Sequence, residues 1–245
     1  MEEVVGTFAR KLALTETEVE VVLPEEAVNV GPQRWFIVCE LLTPKPFRVE
    51  SLINTMKGLW IPKSDPPDRG RIVATQLGDG RMLFAFKREA DLKWAIKGCP
   101  WSFDKALLAV AVTDGREDPS RVSLNTQYFW IRIRGLPPVY LEEKLLDNTG
   151  RLLGQAIGDF VRAVKGCGVT CLGEYLRIRV GVSVEAPLKR WVSFKPVGWL
   201  ERKSFDLEYE RLPHFCFYCG LLTHTGGRCP RRESGGFLFQ PMMLC

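Results

Sequence analysis

Fourteen residues near the carboxyl end constrain this chain more than any other stretch: Cys216-Phe217-Tyr218-Cys219-Gly220-Leu221-Leu222-Thr223-His224-Thr225-Gly226-Gly227-Arg228-Cys229, or C-x2-C-x4-H-x4-C. A segment this short cannot bury a core of its own, but three thiolates and one imidazole can close a tetrahedron around a single Zn²⁺. Folding and metal binding are then one event, which in zinc-finger peptides contributes roughly 10–16 kcal/mol at neutral pH. Three cysteines cannot make two disulfides among themselves. The chain opens MEEVVGTFARK, without a basic lead and apolar run, so its eight cysteines read as thiols or metal ligands in a reducing, non-secretory setting. Cys216, Cys219, His224 and Cys229 are the candidate ligands of one zinc ion. All four positions are protein donors, which leaves no place for water and makes the ion structural.

The residues around these ligands carry a second signal. Arg211, Arg228, Arg231 and Arg232 lie between residues 211 and 232 with no Asp or Glu, giving that segment +4. Phe217 and Tyr218 stand between the first two cysteines. Unpaired bases stack on such rings while guanidinium groups neutralise phosphates, a composition suited to single-stranded nucleic acid, with Phe217 the preferred stacking ring. In a plainer reading Phe217 packs on the motif's own small core and the arginines are solvated. Zinc knuckles of the retroviral type carry Gly directly before the histidine. Here Thr223 takes that position, and a β-branched residue resists positive φ, so the ligand set is intact but the local turn geometry is in question.

Upstream, 245 residues that are 46% hydrophobic and 26% charged suffice for one large or two small soluble domains. In residues 1–26 seven glutamates face Arg10 and Lys11, a local −5 in a chain of net +5. Residues 1–30 thus form an acidic N-terminal arm on a basic body, an arrangement that suits a polyanionic partner. Residues 31–113 read as β-α-β-β-α-β: strand Trp35–Cys39, helix Val49–Leu59, strands Arg71–Leu77 and Met82–Phe86 around Gly78-Asp79-Gly80, a helix with Ala90, Trp94 and Ala95 at helical spacing, and strand Leu107–Val112. That order is shared by ferredoxin-like and RNA-recognition-motif folds. Its third strand would present Arg81, Leu83 and Ala85 on the open sheet face, not stacking rings.

Residues 114–123, rich in charge with Gly and Pro, read as a linker, and 124–210 as a second α+β unit. Within it we expect strands Phe129–Arg134 and Phe160–Lys165 around a helix Leu141–Leu153, a long hairpin of Tyr175–Val184 and Leu188–Phe194, and a last strand Phe205–Glu210. Strand, proline-bearing loop and helix recur in the same order about 94 residues apart, either as two related units or as a chance match of short stretches. The expected fold class is α+β: two ferredoxin-like or RNA-recognition-motif-like units, a CCHC zinc knuckle over 211–232, and a tail over 233–245.

Alternation in the second unit sends Trp130, Arg132 and Arg134 to one face of their strand and Tyr175, Arg177 and Arg179 to one face of theirs. As first and third strands of a ferredoxin-like unit they would be adjacent, and four arginines would share a face. Like charges on neighbouring strands need a counter-charge. RNA or DNA phosphate is one candidate. Asp206, Glu208 and Glu210, alternating on the last strand, are the other.

Catalytic signals are lacking. If His224 holds zinc, His214 is the one imidazole left, and it has no G-x-S-x-G elbow. There is no G-x-x-x-x-G-K-[ST] loop, no third glycine beside Gly78 and Gly80, and no Tyr-x-Asp-Asp centre. Cys167 and Cys171 read as structural thiols. No apolar run is long enough to span a membrane. The chain is therefore expected to be a binding protein, not an enzyme, with no small-molecule substrate.

Several segments together resemble a known family: Trp94, Gly98 and Pro100-Trp101; Arg177-Ile178-Arg179-Val180 with Pro187-Leu188-Lys189-Arg190; and Tyr209-Glu210-Arg211-Leu212-Pro213 running into Cys216. They are similar to plant retrotransposon-derived proteins, akin to the first open reading frame of LINE-type elements, in which a domain of unknown function precedes a CCHC zinc knuckle. The resemblance covers about residues 30 to 232 and implies zinc and nucleic-acid binding in a nuclear or cytoplasmic setting, carried over residue by residue for Cys216, Cys219, His224 and Cys229 alone. The tail ending Met242-Met243-Leu244-Cys245 reads as that of a truncated or fused gene product. The competing functional expectation is a protein-interaction module in which zinc only stabilises a docking surface.

Overall fold

Strict alternation builds two antiparallel sheets. The computed structural model describes residues 34–65, 70–167 and 174–232; the acidic arm, the tail and Cys171 lie outside the described residues. The first sheet takes β1 (Trp35–Leu42), β2 (Ile72–Gln76), β3 (Met82–Phe86), β4 (Trp101–Phe103) and β5 (Ala106–Thr113) in the order β2-β3-β1-β5-β4. The second takes β6 (Thr126–Ile133), β7 (Asp159–Cys167), β8 (Glu174–Ser183), β9 (Trp191–Phe194) and β10 (Lys203–Tyr209) in the order β7-β8-β6-β10-β9. Strand for strand the second order repeats the first.

In the first sheet Ile37, Cys39 and Leu41 of β1, Met82, Phe84 and Phe86 of β3, and Leu108 and Val110 of β5 turn to one face. There they meet α1 (Val49–Leu59), whose Leu52 and Met56 are fully buried, and α2 (Glu89–Lys97), which turns Leu92 and Ala95 inward. Trp94, grouped with Ala95 by its spacing, is instead 44% exposed and donates its indole N–H to the Leu59 carbonyl at 3.3 Å; the buried polar residue of this helix is Asp91, which takes a bidentate bond from Arg71 at 2.5 and 3.0 Å. Trp60 closes this core edge-on to Phe84, ring centroids 4.8 Å apart.

The other face of the first sheet is covered at its centre, while Val73 on β2 stays exposed. Val122 and Leu124 lie on Val38 and Ala109, and all four are buried, with Leu83 packed at their side. Arg81 points to this face as expected but ties down the segment covering it, donating to the carbonyls of Pro119 (3.1 Å) and Val122 (2.8 Å). Past the short β4, the outer edge of β5 is met by one side chain. Val110 N–H donates to Gln127 Oε1 (2.9 Å), and Gln127 Nε2 donates to the carbonyls of Val110 (3.2 Å) and Leu124 (3.0 Å). The amide does there what a further strand would do.

In the second unit α3 (Glu143–Ile157) lies against β7 at glycine positions: a Cβ on Gly150 would collide with that of Ala163, and one on Gly154 with the Phe160 ring. The expected β8–β9 hairpin is absent. β8 is held on both sides by β7 and β6, which leaves it no open edge, so β9 pairs with β10 at the far side of the sheet. β4 also has no counterpart in the strands read from sequence. It is three residues long and turns into β5 through Asp104 and Lys105, both at positive φ without glycine. Among the described residues no helix lies between β8 and β10 and none is long and apolar enough to cross a membrane.

Candidate metal centre and nucleic-acid interface

The four ligands come from the turn after β10. Gly220 N–H donates to the Cys216 carbonyl (2.7 Å) and Cys216 N–H to that of Leu221 (2.8 Å), a tight loop that brings Cys216 and Cys219 together. The left-handed residue of this loop is Gly220, at φ +76°, while Thr223 keeps an ordinary negative φ. The glycine missing before the histidine is therefore not needed. Thr223 has another use: its hydroxyl lies 3.2 Å from His224 Nδ1, leaving Nε2 to face the thiols. A hydrogen bond on the outer nitrogen fixes which nitrogen is the ligand.

One donor atom from each of Cys216, Cys219, His224 and Cys229 lies within 4.8 Å of the others, and Cys219 Sγ is 3.4 Å from His224 Nε2. Zinc at about 2.3 Å from sulfur and about 2.0–2.1 Å from nitrogen spaces tetrahedral donors about 3.5 Å apart for a sulfur–nitrogen pair and about 3.8 Å for two sulfurs, so small side-chain adjustments bring the set onto one ion. Burial opposes ionisation of Cys216, but N–H groups of Cys219 and Tyr218 and the neighbouring thiols hold it below the ordinary thiol value; Cys219, where burial dominates, is pushed up to about 11. Binding the cation ionises the remaining thiols and releases their protons. The four donors and the knuckle fold are those of a site for one structural zinc.

This knuckle is seated on both units. Phe215 and Leu222 are buried in the core of the second sheet with Leu188, whose N–H donates to the Gly220 carbonyl at 3.0 Å. His214 N–H donates to Lys105 O (2.7 Å), Arg228 to Pro44 O (2.9 Å), and Arg211 to the carbonyls of Pro100 (2.8 Å) and Gly98 while lying 5.6 Å from the Trp101 ring. Arg211 and Arg228 thus bond protein carbonyls. Arg232 lies 5.7 Å over the Tyr218 ring, and Arg231 occupies the same 3-10 turn, Pro230–Arg232. Phe217 is 45% exposed and rests on buried Phe215, centroids 4.8 Å apart.

β6 and β8 are adjacent, with Arg132 opposite Arg177 and Trp130 opposite Arg179. Glu210 takes both of the first pair, at 2.6 Å from Arg132 and 2.7 Å from Arg177, and Glu208 takes Arg134 at 2.9 Å. Asp206 does not join them; it stands opposite Trp191 in the β9–β10 pair. Burial raises the Glu210 carboxyl, but the two guanidiniums outweigh it and hold it below the ordinary value. The guanidiniums also stack on rings: Arg134 lies 4.7 Å and Arg132 5.4 Å from Tyr175. Arg179 is buried and donates to the Cys99 carbonyl at 2.7 Å. Spacing located the zinc ligands but had no means of finding the carbonyl partners of Arg179, Arg211 and Arg228, which lie at least 80 residues away in sequence.

Residues 183–231 match the zinc knuckle family model. The match starts at Ser183, the last residue of β8, so β9, β10 and the ligand loop fall within one sequence unit, as they do in the packing. No curated protein matches the chain.

Proposed function

We propose that this protein binds single-stranded nucleic acid through its zinc knuckle and is not an enzyme. One observation carries the reading. Phe217 is a half-exposed ring between two zinc ligands, backed by the buried ring of Phe215 and so held ready for a base without a further ordering cost. Arg232, which lies over the Tyr218 ring, and Arg231 in the same turn would supply phosphate contacts. The outer arginines of the second sheet add positive potential more than free charge, since Glu208 and Glu210 already pair three of them. From the resemblance given above we infer a retroelement origin and a nuclear or cytoplasmic site of action.

Titration of a fluorescein-labelled oligonucleotide tests this. Affinity should fall steeply between roughly 50 and 200 mM salt, and Phe217→Ala should weaken it by about 1–3 kcal/mol. Salt-independent binding, or none at micromolar protein, contradicts the reading. The second reading, a protein-docking module, is favoured by one fact: Arg211 and Arg228 bond carbonyls of the first unit. It gains if Phe217→Ala leaves oligonucleotide affinity untouched while a protein partner is lost.

A further inference from the structure

Between α2 and the outer face of the second sheet lies a cleft of about 710 Å³. Its floor is apolar, from α2, β5 and β7, and its rim carries Lys93, Lys97, Arg162, Arg177 and Arg179 around Trp130. No Asp or Glu lines it.

Trp130 gathers these charges. Arg177 lies 3.9 Å, Arg162 4.9 Å and Arg179 5.6 Å from its ring, so one indole holds three guanidiniums. A ring quadrupole offsets only part of the repulsion among such cations. Carboxylates offset a little more: Glu210 reaches Arg177, and Glu89 reaches Lys93 at 2.9 Å, with both partners exposed. Among the described residues Lys97 and Arg162 form no ion pair. Arg179 is 8% exposed with a carbonyl for a partner, and its guanidinium is held below its ordinary value by burial and then by Arg211, Arg162 and Arg177 nearby. Cations focused in a cleft with apolar walls attract a polyanion.

The position of the cleft points to the same strand that the knuckle would hold. Arg179 of the cleft and Arg211 at the start of the knuckle bond successive carbonyls of one turn, Gly98 to Pro100. Because guanidiniums already surround the Trp130 ring, the cleft offers N–H edges to phosphates and leaves bases unread, the contact that positions a chain without specifying its sequence.

We propose that this cleft grips the phosphate backbone of single-stranded nucleic acid and extends the contact made by the knuckle. The inference rests on the nucleic-acid reading above and adds Lys93, Lys97 and Arg162 to it. The experiment is anisotropy with fluorescein-labelled oligo-dT and oligo-rU on the full chain, comparing wild type, Phe217→Ala and the double variant Lys97→Glu, Arg162→Glu. Both reversed residues are exposed and lie apart from the zinc ligands. The double variant should lose roughly tenfold or more in affinity, with a log–log salt slope shallower by about 1–1.5, the loss of two single-strand phosphate contacts. Zinc content and melting temperature should stay unchanged, and Lys97→Gln with Arg162→Gln should give an intermediate loss. Unchanged affinity in the double variant, beside a clear loss in Phe217→Ala, overturns the cleft and spares the knuckle. Absence of binding by the wild type overturns both. Charge-dependent binding of a labelled polyglutamate peptide, with oligonucleotide affinity unmoved, overturns the proposal by assigning the cleft to an acidic protein segment.

Discussion

The two sheets share one strand order and treat their outer faces in opposite ways. In the first, Val38 and Ala109 turn outward and the chain comes back over them with Val122 and Leu124. In the second, Trp130, Arg132, Arg177 and Arg179 turn outward; Glu210 pairs Arg132 and Arg177, and Arg179 donates to the Cys99 carbonyl. Their inner faces differ as well. The first core is closed by α1 and α2, whereas the second has α3 and, among the described residues, no later α-helix, and Phe215 and Leu222 of the knuckle join its core. One topology thus tolerates either an apolar face with a cover or a charged face with counter-charges. A zinc-bound loop can also supply core residues where a helix is missing.

The larger of two perturbations to this contrast falls on the covered face. Gln127→Ala strips the partners from Val110 N–H and from the carbonyls of Val110 and Leu124, and should cost about 1–3 kcal/mol by urea denaturation. If the loss is negligible, Gln127 does not seal the edge of β5.

The charged face should respond less to the corresponding change and differently to pH. The Glu210 carboxyl lies below its ordinary 4.5 in the folded protein, so its contribution is complete above that value and is lost as pH falls through the lowered one. Glu210→Gln should therefore destabilise the protein modestly at neutral pH, with the gap to wild type closing in acid. By releasing Arg132 and Arg177, it should also tighten oligonucleotide binding. A gap that widens in acid contradicts the ion-pair account.

Local pattern was legible where neighbours in sequence are also neighbours in space. The bounds of α1 and β3 follow from spacing and a Gly-bearing turn, and the zinc ligands from their intervals. What depended on partners far along the chain was not legible. The run 114–123 has the composition of a linker, yet Pro119 and Val122 are anchored by Arg81, about 40 residues earlier. Tyr175–Val184 and Leu188–Phe194 look like a hairpin because both alternate, and only the occupancy of both edges of β8 rules it out. Whether Glu208 and Glu210 or a phosphate would meet the sheet arginines depended on register, which alternation by itself does not fix.

Hydrogen exchange with and without a strong zinc chelator tests most directly whether the metal loop is part of the second core. If Phe215 and Leu222 close that core, removing zinc should deprotect amides of β6, β8 and β10 while those of β1, β3 and β5 keep their protection. Loss of protection confined to residues 211–232 would show that the knuckle is an appendage and contradict the account.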